Sequence, residues 1–199
     1  LYIMKTKLLF SSIFLILLTN ACVNTDIMQK VKKENDNVKN TKRFLYSNVF
    51  SPIEKPNKVL YFYKMFYKEI DSTNHEEVIV KDRIHFTSTA DPLENNVYIL
   101  TDTKIYKLSI PKIEVELNKE IETKKESVMK ADSTKIDVIT GYHENHSKVY
   151  KFNYSITEQI RKDILESKTL KFRYYAGIEM ITIQIKDYKL KNVKELLKF

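Results

Sequence analysis

Only two of the 199 residues are glycine, Gly141 and Gly177, and only one, Cys22, is cysteine. Phosphate loops and dinucleotide fingerprints need several glycines, because the backbone must approach the ligand closely, so the sequence argues against both. A single thiol leaves no disulfide within the chain. Whatever fold forms must be held by its apolar core, and the 178 residues from Cys22 onward are enough for one domain with a sizeable core.

The hydrophobic pattern locates the elements. Residues 58–70 are dense in aromatic and branched side chains and fit a strand, although the spacing of Lys64 and Lys68 by four also fits an amphipathic helix. Further strands are predicted over residues 78–86, 97–101, 104–110 and 112–117, with Asp102-Thr103 turning between two of them. The charged residues 118–134 predict a solvated helix or an exposed hairpin. Strand character returns over 135–140 and 148–154, and residues 141–147 read as the turn between them.

The C-terminal fifty residues give the sharpest local signals. Ser155-Ile156-Thr157-Glu158 has the spacing of a capping box, and Ile156, Ile160 and Ile164 follow at intervals of four, predicting a helix to about residue 166. Two strands, 169–176 and 178–188, meet at Gly177, and a last helix over 190–199 carries Val193, Leu196 and Leu197 on one face. The order strand, helix, strand, strand, helix predicts an α+β fold in which an antiparallel sheet is covered on one face by the C-terminal helices.

The formal charge is +8, or +6 without Lys5 and Lys7, and only four of the basic residues are arginine. Lysine is a hydrated point charge, less suited than arginine to bidentate recognition of phosphates or bases, so the charge speaks for solvation and attraction to acidic surfaces and against nucleic acid as a partner. His143-Glu144-Asn145-His146 resembles a zinc-protease motif with one residue too few between Glu144 and His146, and it reads as a polar turn, with no metal site and no cofactor expected. His75 with Glu76 and Glu77, and His85 with Asp82, offer general bases, but no nucleophile elbow accompanies them, and the chain is expected not to be an enzyme. Arg173 stands among aromatics in Lys171-Phe172-Arg173-Tyr174-Tyr175, and Arg173, Tyr174 and Tyr175 are the candidate binding residues.

Cys22 follows an apolar stretch, residues 8–18, which itself follows Met4-Lys5-Thr6-Lys7. A basic start, about a dozen apolar residues and a small residue before the cysteine make a secretory leader rather than a spanning helix. Leu18-Thr19-Asn20-Ala21-Cys22 resembles the processing site of bacterial lipoproteins, with the relaxed spacing of spirochaetal surface lipoproteins. The resemblance covers only the leader and implies cleavage before Cys22, lipidation of Cys22 (palmitate among the acyl chains), and attachment to the cell envelope, at the outer membrane and the cell surface. The expected organisation is then a signal peptide over 1–21, an acylated cysteine and flexible tether over 22–43, and a single domain over 44–199. The membrane is the first partner, through the lipid. The domain is expected to be a monomeric, non-enzymatic surface module for a protein or acidic glycan, the alternatives being a periplasm-facing structural subunit of envelope machinery or a hydrolase.

Overall fold

The computed structural model describes residues 30–54, 58–129 and 134–199. The predicted leader and Cys22 lie outside the described residues. The elements run β1 (Lys32–Asp36), β2 (Thr41–Phe50), β3 (Val59–Ile70), β4 (Glu76–Thr87), β5 (Asn96–Leu100), β6 (Ile105–Ser109), β7 (Ile113–Met129), β8 (Lys135–Ser155), α1 (Glu158–Glu166), β9 (Leu170–Ala176), β10 (Glu179–Ile185) and α2 (Asp187–Lys198). They build two antiparallel sheets, one of six strands in the order β1-β2-β3-β4-β8-β7 and one of four in the order β10-β9-β5-β6.

Strict alternation makes the core. Phe62, Lys64, Phe66 and Lys68 point inward from β3, beside Val80, Asp82, Ile84 and Phe86 of β4 and Tyr150, Phe152 and Tyr154 of β8. The four-stranded sheet lies across this face with Val97 and Ile99 of β5, Leu170, Phe172 and Tyr174 of β9, and Ile181, Ile183 and Ile185 of β10, all buried. The rings meet edge to face or tilted, Phe66 to Phe172 at 6.0 Å and Phe62 to Tyr174 at 5.5 Å between centroids. Each ring withdrawn from water in this way stabilises the fold by roughly 1.5–3 kcal/mol.

The expected α+β arrangement is overturned: 63% of the described residues are strand and 13% helix. A second sheet, not a pair of helices, covers most of the inner face, because β5, β9 and β10 each present an alternating apolar face that must itself be buried. The helices are short and occupy one end, where α2 packs on β2 and β3 with Val193, Leu196 and Leu197 buried and Phe199 stacked on Phe44 at 4.7 Å. The capping box at Ser155 does not form either. Thr157 is the N-cap, its side chain accepting from the Ile160 amide, while Ser155 ends β8.

Residues 32–43, expected as the distal part of a tether, pair instead as β1 and the start of β2, and Arg43 is held by Asp36 at 3.0 Å and Glu69 at 2.8 Å. With so few glycines, the turns fall to asparagine and aspartate. Asn40 and Asn74 take the left-handed conformation (φ 51° and 61°), and the Asp36 and Asp71 carboxylates accept backbone N–H groups of their own turns. Gly177 (φ 59°) is the exception: a Cβ there would lie 2.7 Å from Asp91 Oδ2.

β7 and β8 extend far beyond their neighbour. β4 pairs with β8 only from Ser147 to Ser155, whereas the β7–β8 ladder continues to Met129 opposite Lys135. Residues 141–147, expected as a turn, are continuous strand. The charged stretch of β7 takes the exposed-hairpin alternative, forming an arm about 40 Å long.

Candidate functional site

Two constellations stand back to back on the six-stranded sheet. On its inner face the Lys64 ammonium donates to Asp82 Oδ1 at 2.6 Å, Tyr174 Oη at 2.8 Å and Tyr154 Oη at 3.0 Å, which uses all three of its protons. Both tyrosine hydroxyls donate onward to Asp82 Oδ2, Tyr174 at 2.6 Å and Tyr154 at 3.2 Å. The Phe172 ring lies 3.9 Å from the same ammonium. The Lys64 and Asp82 side chains are 0% exposed. Burial lowers the Lys64 pKa to about 8, against the pull of Asp82, and burial followed by the Asp82 charge raises both tyrosines well above their ordinary range. At neutral pH the cluster is an ion pair closed by two hydroxyls. Its donors are satisfied internally and water does not reach it, so its chemistry is structural: it fixes how β9 seats on β3, β4 and β8.

The outer face of the same strands is different. Pairing aligns Val49, Tyr63, Arg83, Lys151 and Glu114 in one row and Ser47, Met65, Lys81 and Asn153 in the next. A groove of about 500 Å³ opens here, lined by Tyr63, Met65, Lys81, Arg83, Lys151 and Asn153 together with Lys112 and Glu114. Lys112 pairs with Glu114 at 2.7 Å, and Lys151 pairs with Glu116. Lys81 and Arg83 have no carboxylate partner among the described residues; the Lys81 ammonium lies 5.2 Å from the Tyr67 ring centroid. Beside the groove, Tyr61 and His85 stack at 4.0 Å, and the His85 pKa is lowered by burial and then by the Arg83 and Lys151 charges. His85 is therefore a neutral, flat ring at pH 7. The face combines stacking surface with uncompensated positive charge.

No family model, curated protein or solved structure matches this chain. The site must be read from its own geometry.

Of the residues singled out in the sequence, Tyr174 is part of the buried cluster and has no surface to offer. Arg173 and Tyr175 lie on the opposite face of β9, where Arg173 Nε donates to Thr182 Oγ1 at 3.1 Å and Tyr175 packs edge-on against Tyr98. The three do not form one binding surface. Strand alternation likewise separates His143 from Glu144 and His146, and no group of three potential metal ligands assembles among the described residues. His85 and Asp82 point to opposite faces of β4, so they make no acid–base pair. The groove residues went unnoticed, although Lys81-Asp82-Arg83 in a strand carried the signal: alternation turns Asp82 one way and both cations the other.

Proposed function

We propose that the protein is a non-enzymatic, lipid-anchored envelope module that binds an acidic glycan across the outer face of its six-stranded sheet. The observation that carries this reading is the pair of uncompensated cations, Lys81 and Arg83, in a groove floored by Tyr63 and Met65. Sulfate or carboxylate groups spaced along a sugar chain would meet Lys81, Arg83 and the flanking lysines, while the sugar rings lie against Tyr63 and the Tyr61–His85 stack. The envelope location is supported by the Lys-flanked apolar stretch ending in Ala21-Cys22.

Heparin-like glycan binding by the full chain, measured at low and at physiological ionic strength (about 0.15 M), tests the reading. Binding should persist at the higher salt and fall about tenfold or more in Lys81→Ala/Arg83→Ala, since close charge contacts in a shaped groove resist screening better than scattered lysines. Binding that vanishes at physiological salt, or that ignores the double substitution, refutes the site. Retention of an acidic protein but not of the glycan refutes the ligand class. Cys22→Ala should shift the protein out of the detergent phase on phase partitioning, and unchanged partitioning would refute the anchor.

A further inference from the structure

The arm formed by β7 and β8 is a ribbon of two strands with water on both faces and backbone groups unpaired along both outer edges. Two strands alone are marginal in water, and a third or fourth strand is what ordinarily stabilises them. The two edges are not equivalent. β8 is interrupted by a bulge, where the pairing shifts between Lys124 opposite Gly141 and Lys125 opposite Ile139, whereas β7 runs without an inserted residue from Ile113 to Met129. Lys124 and Glu126 face Gly141 and Val138 across the ribbon, and neither has a charged partner among the described residues.

We propose that the free edge of β7 takes a second copy of this chain, the two β7 strands pairing antiparallel about a two-fold axis at Lys125 to make one four-stranded ribbon. Symmetry limits the choices. A two-fold axis perpendicular to the ribbon keeps each side chain on its own face, so only residues of equal parity oppose one another. An axis at Glu122 sets that carboxylate against itself and Lys119 against Lys125, an axis at Thr123 sets Glu120 against Glu126, and an axis at Lys124 sets Glu122 against Glu126. An axis at Lys125 places Lys124 opposite the second copy's Glu126, Ile121 opposite its Met129 and Thr123 opposite its Ser127, each pair occurring twice. Ile121 and Met129, 59% and 65% exposed in the single chain, then cover each other. Among directly opposed residues from Ile121 to Met129 the only like-charge pair is Lys125 with its own mate on the axis. Because the paired stretch begins at Ile121, beyond the last residues paired to the body, the two bodies sit at opposite ends of the ribbon without collision.

The proposal departs from the expected monomer and stands independently of the glycan reading. Sedimentation of the full chain in detergent should show a dimer, with Lys124→Glu alone or Glu126→Lys alone weakening association about tenfold or more. The combined Lys124→Glu/Glu126→Lys chain should recover it, since the swap re-creates the same pairs. In a Cys22→Ala background, Lys125→Cys should form a disulfide-linked dimer under mild oxidation, and Glu120→Cys, some 34 Å from its mate by about 3.4 Å per residue, should not. A monomeric wild-type chain, equal association of the single and combined charge variants, or equal cross-linking at both cysteines would each overturn the proposal.

Discussion

The two faces of the six-stranded sheet use the same residue types to opposite ends. Along β4, Asp82 points inward while its neighbours Lys81 and Arg83 point outward; along β3, Lys64 points inward while Tyr63 and Met65 point outward. Inside, lysine, aspartate and two tyrosines close on one another and leave nothing for a ligand. Outside, two cations stand beside tyrosine and methionine with no carboxylate partner among the described residues. Composition is blind to this difference. What separates a structural cluster from a binding face is whether the chain itself satisfies the charges.

The largest effect should come from opening the inner cluster. Lys64→Met would leave the Asp82 carboxylate buried without its counter-ion and is expected to destabilise the fold by about 3–5 kcal/mol, whereas Lys64→Met/Asp82→Leu should recover most of that loss, since matched apolar replacement removes both desolvated charges. Denaturant unfolding measures both, and an innocuous single variant would mean that Lys64 reaches water, erasing the distinction between the faces. Tyr174→Phe should cost about 1–3 kcal/mol by the same measurement, because one hydroxyl both accepts from Lys64 and donates to Asp82.

The pH dependence has a defined sign. Folding lowers the Lys64 pKa from its ordinary value to about 8, so between that pH and roughly 10 the unfolded chain holds more protons and stability rises with pH. Above roughly pH 10 the trend reverses, since unfolded tyrosines ionise while Tyr154 and Tyr174 keep their protons. Thermal melts across this range should show the rise and fall in the wild-type chain, and the rise should flatten in Lys64→Met/Asp82→Leu. If the rise persists there, another group causes it. The smallest effect belongs to the outer face: Lys81→Ala and Arg83→Ala should each leave stability within about 0.5 kcal/mol. A larger loss would make those cations structural and remove the contrast from the other side.

Much of the fold was legible in local pattern. Strand-type apolar runs located β4, β5, β6, β9 and β10, residues 58–70 fit strand and helix alike and form β3, and the isoleucine and leucine stripes located both helices, because a buried face imposes its period directly on the sequence. What failed was information carried by partners. Residues 32–43 look too polar to fold, yet they form an edge hairpin whose stability comes from pairing with β3 and from Arg43 bridging Asp36 and Glu69. Gly141-Tyr142-His143-Glu144-Asn145-His146-Ser147 looks like a turn because its composition is polar, but it pairs residue for residue with Asn118 to Lys124 of β7, a partner that local composition does not reveal. The candidate site was missed for a related reason. Arg173 drew attention through its aromatic neighbours in sequence, whereas Lys81, Arg83, Lys151 and Tyr63 become neighbours only through the pairing of β3, β4 and β8.

The four residues of the inner cluster also join widely separated parts of the chain. Asp82 follows Lys64 by 18 positions, but Tyr154 and Tyr174 follow it by 90 and 110. The first four strands pair as successive hairpins, whereas the contacts that complete the cluster from β8 and β9 close loops of 90 and 110 residues, whose entropic cost is larger and whose formation is slower. A chain halted before residue 170 lacks Leu170, Phe172 and Tyr174 of β9, the isoleucines of β10 and the buried face of α2. If the proposed leader directs export, a core completed by residues this far apart in sequence is expected to close only after the C-terminal strands have emerged.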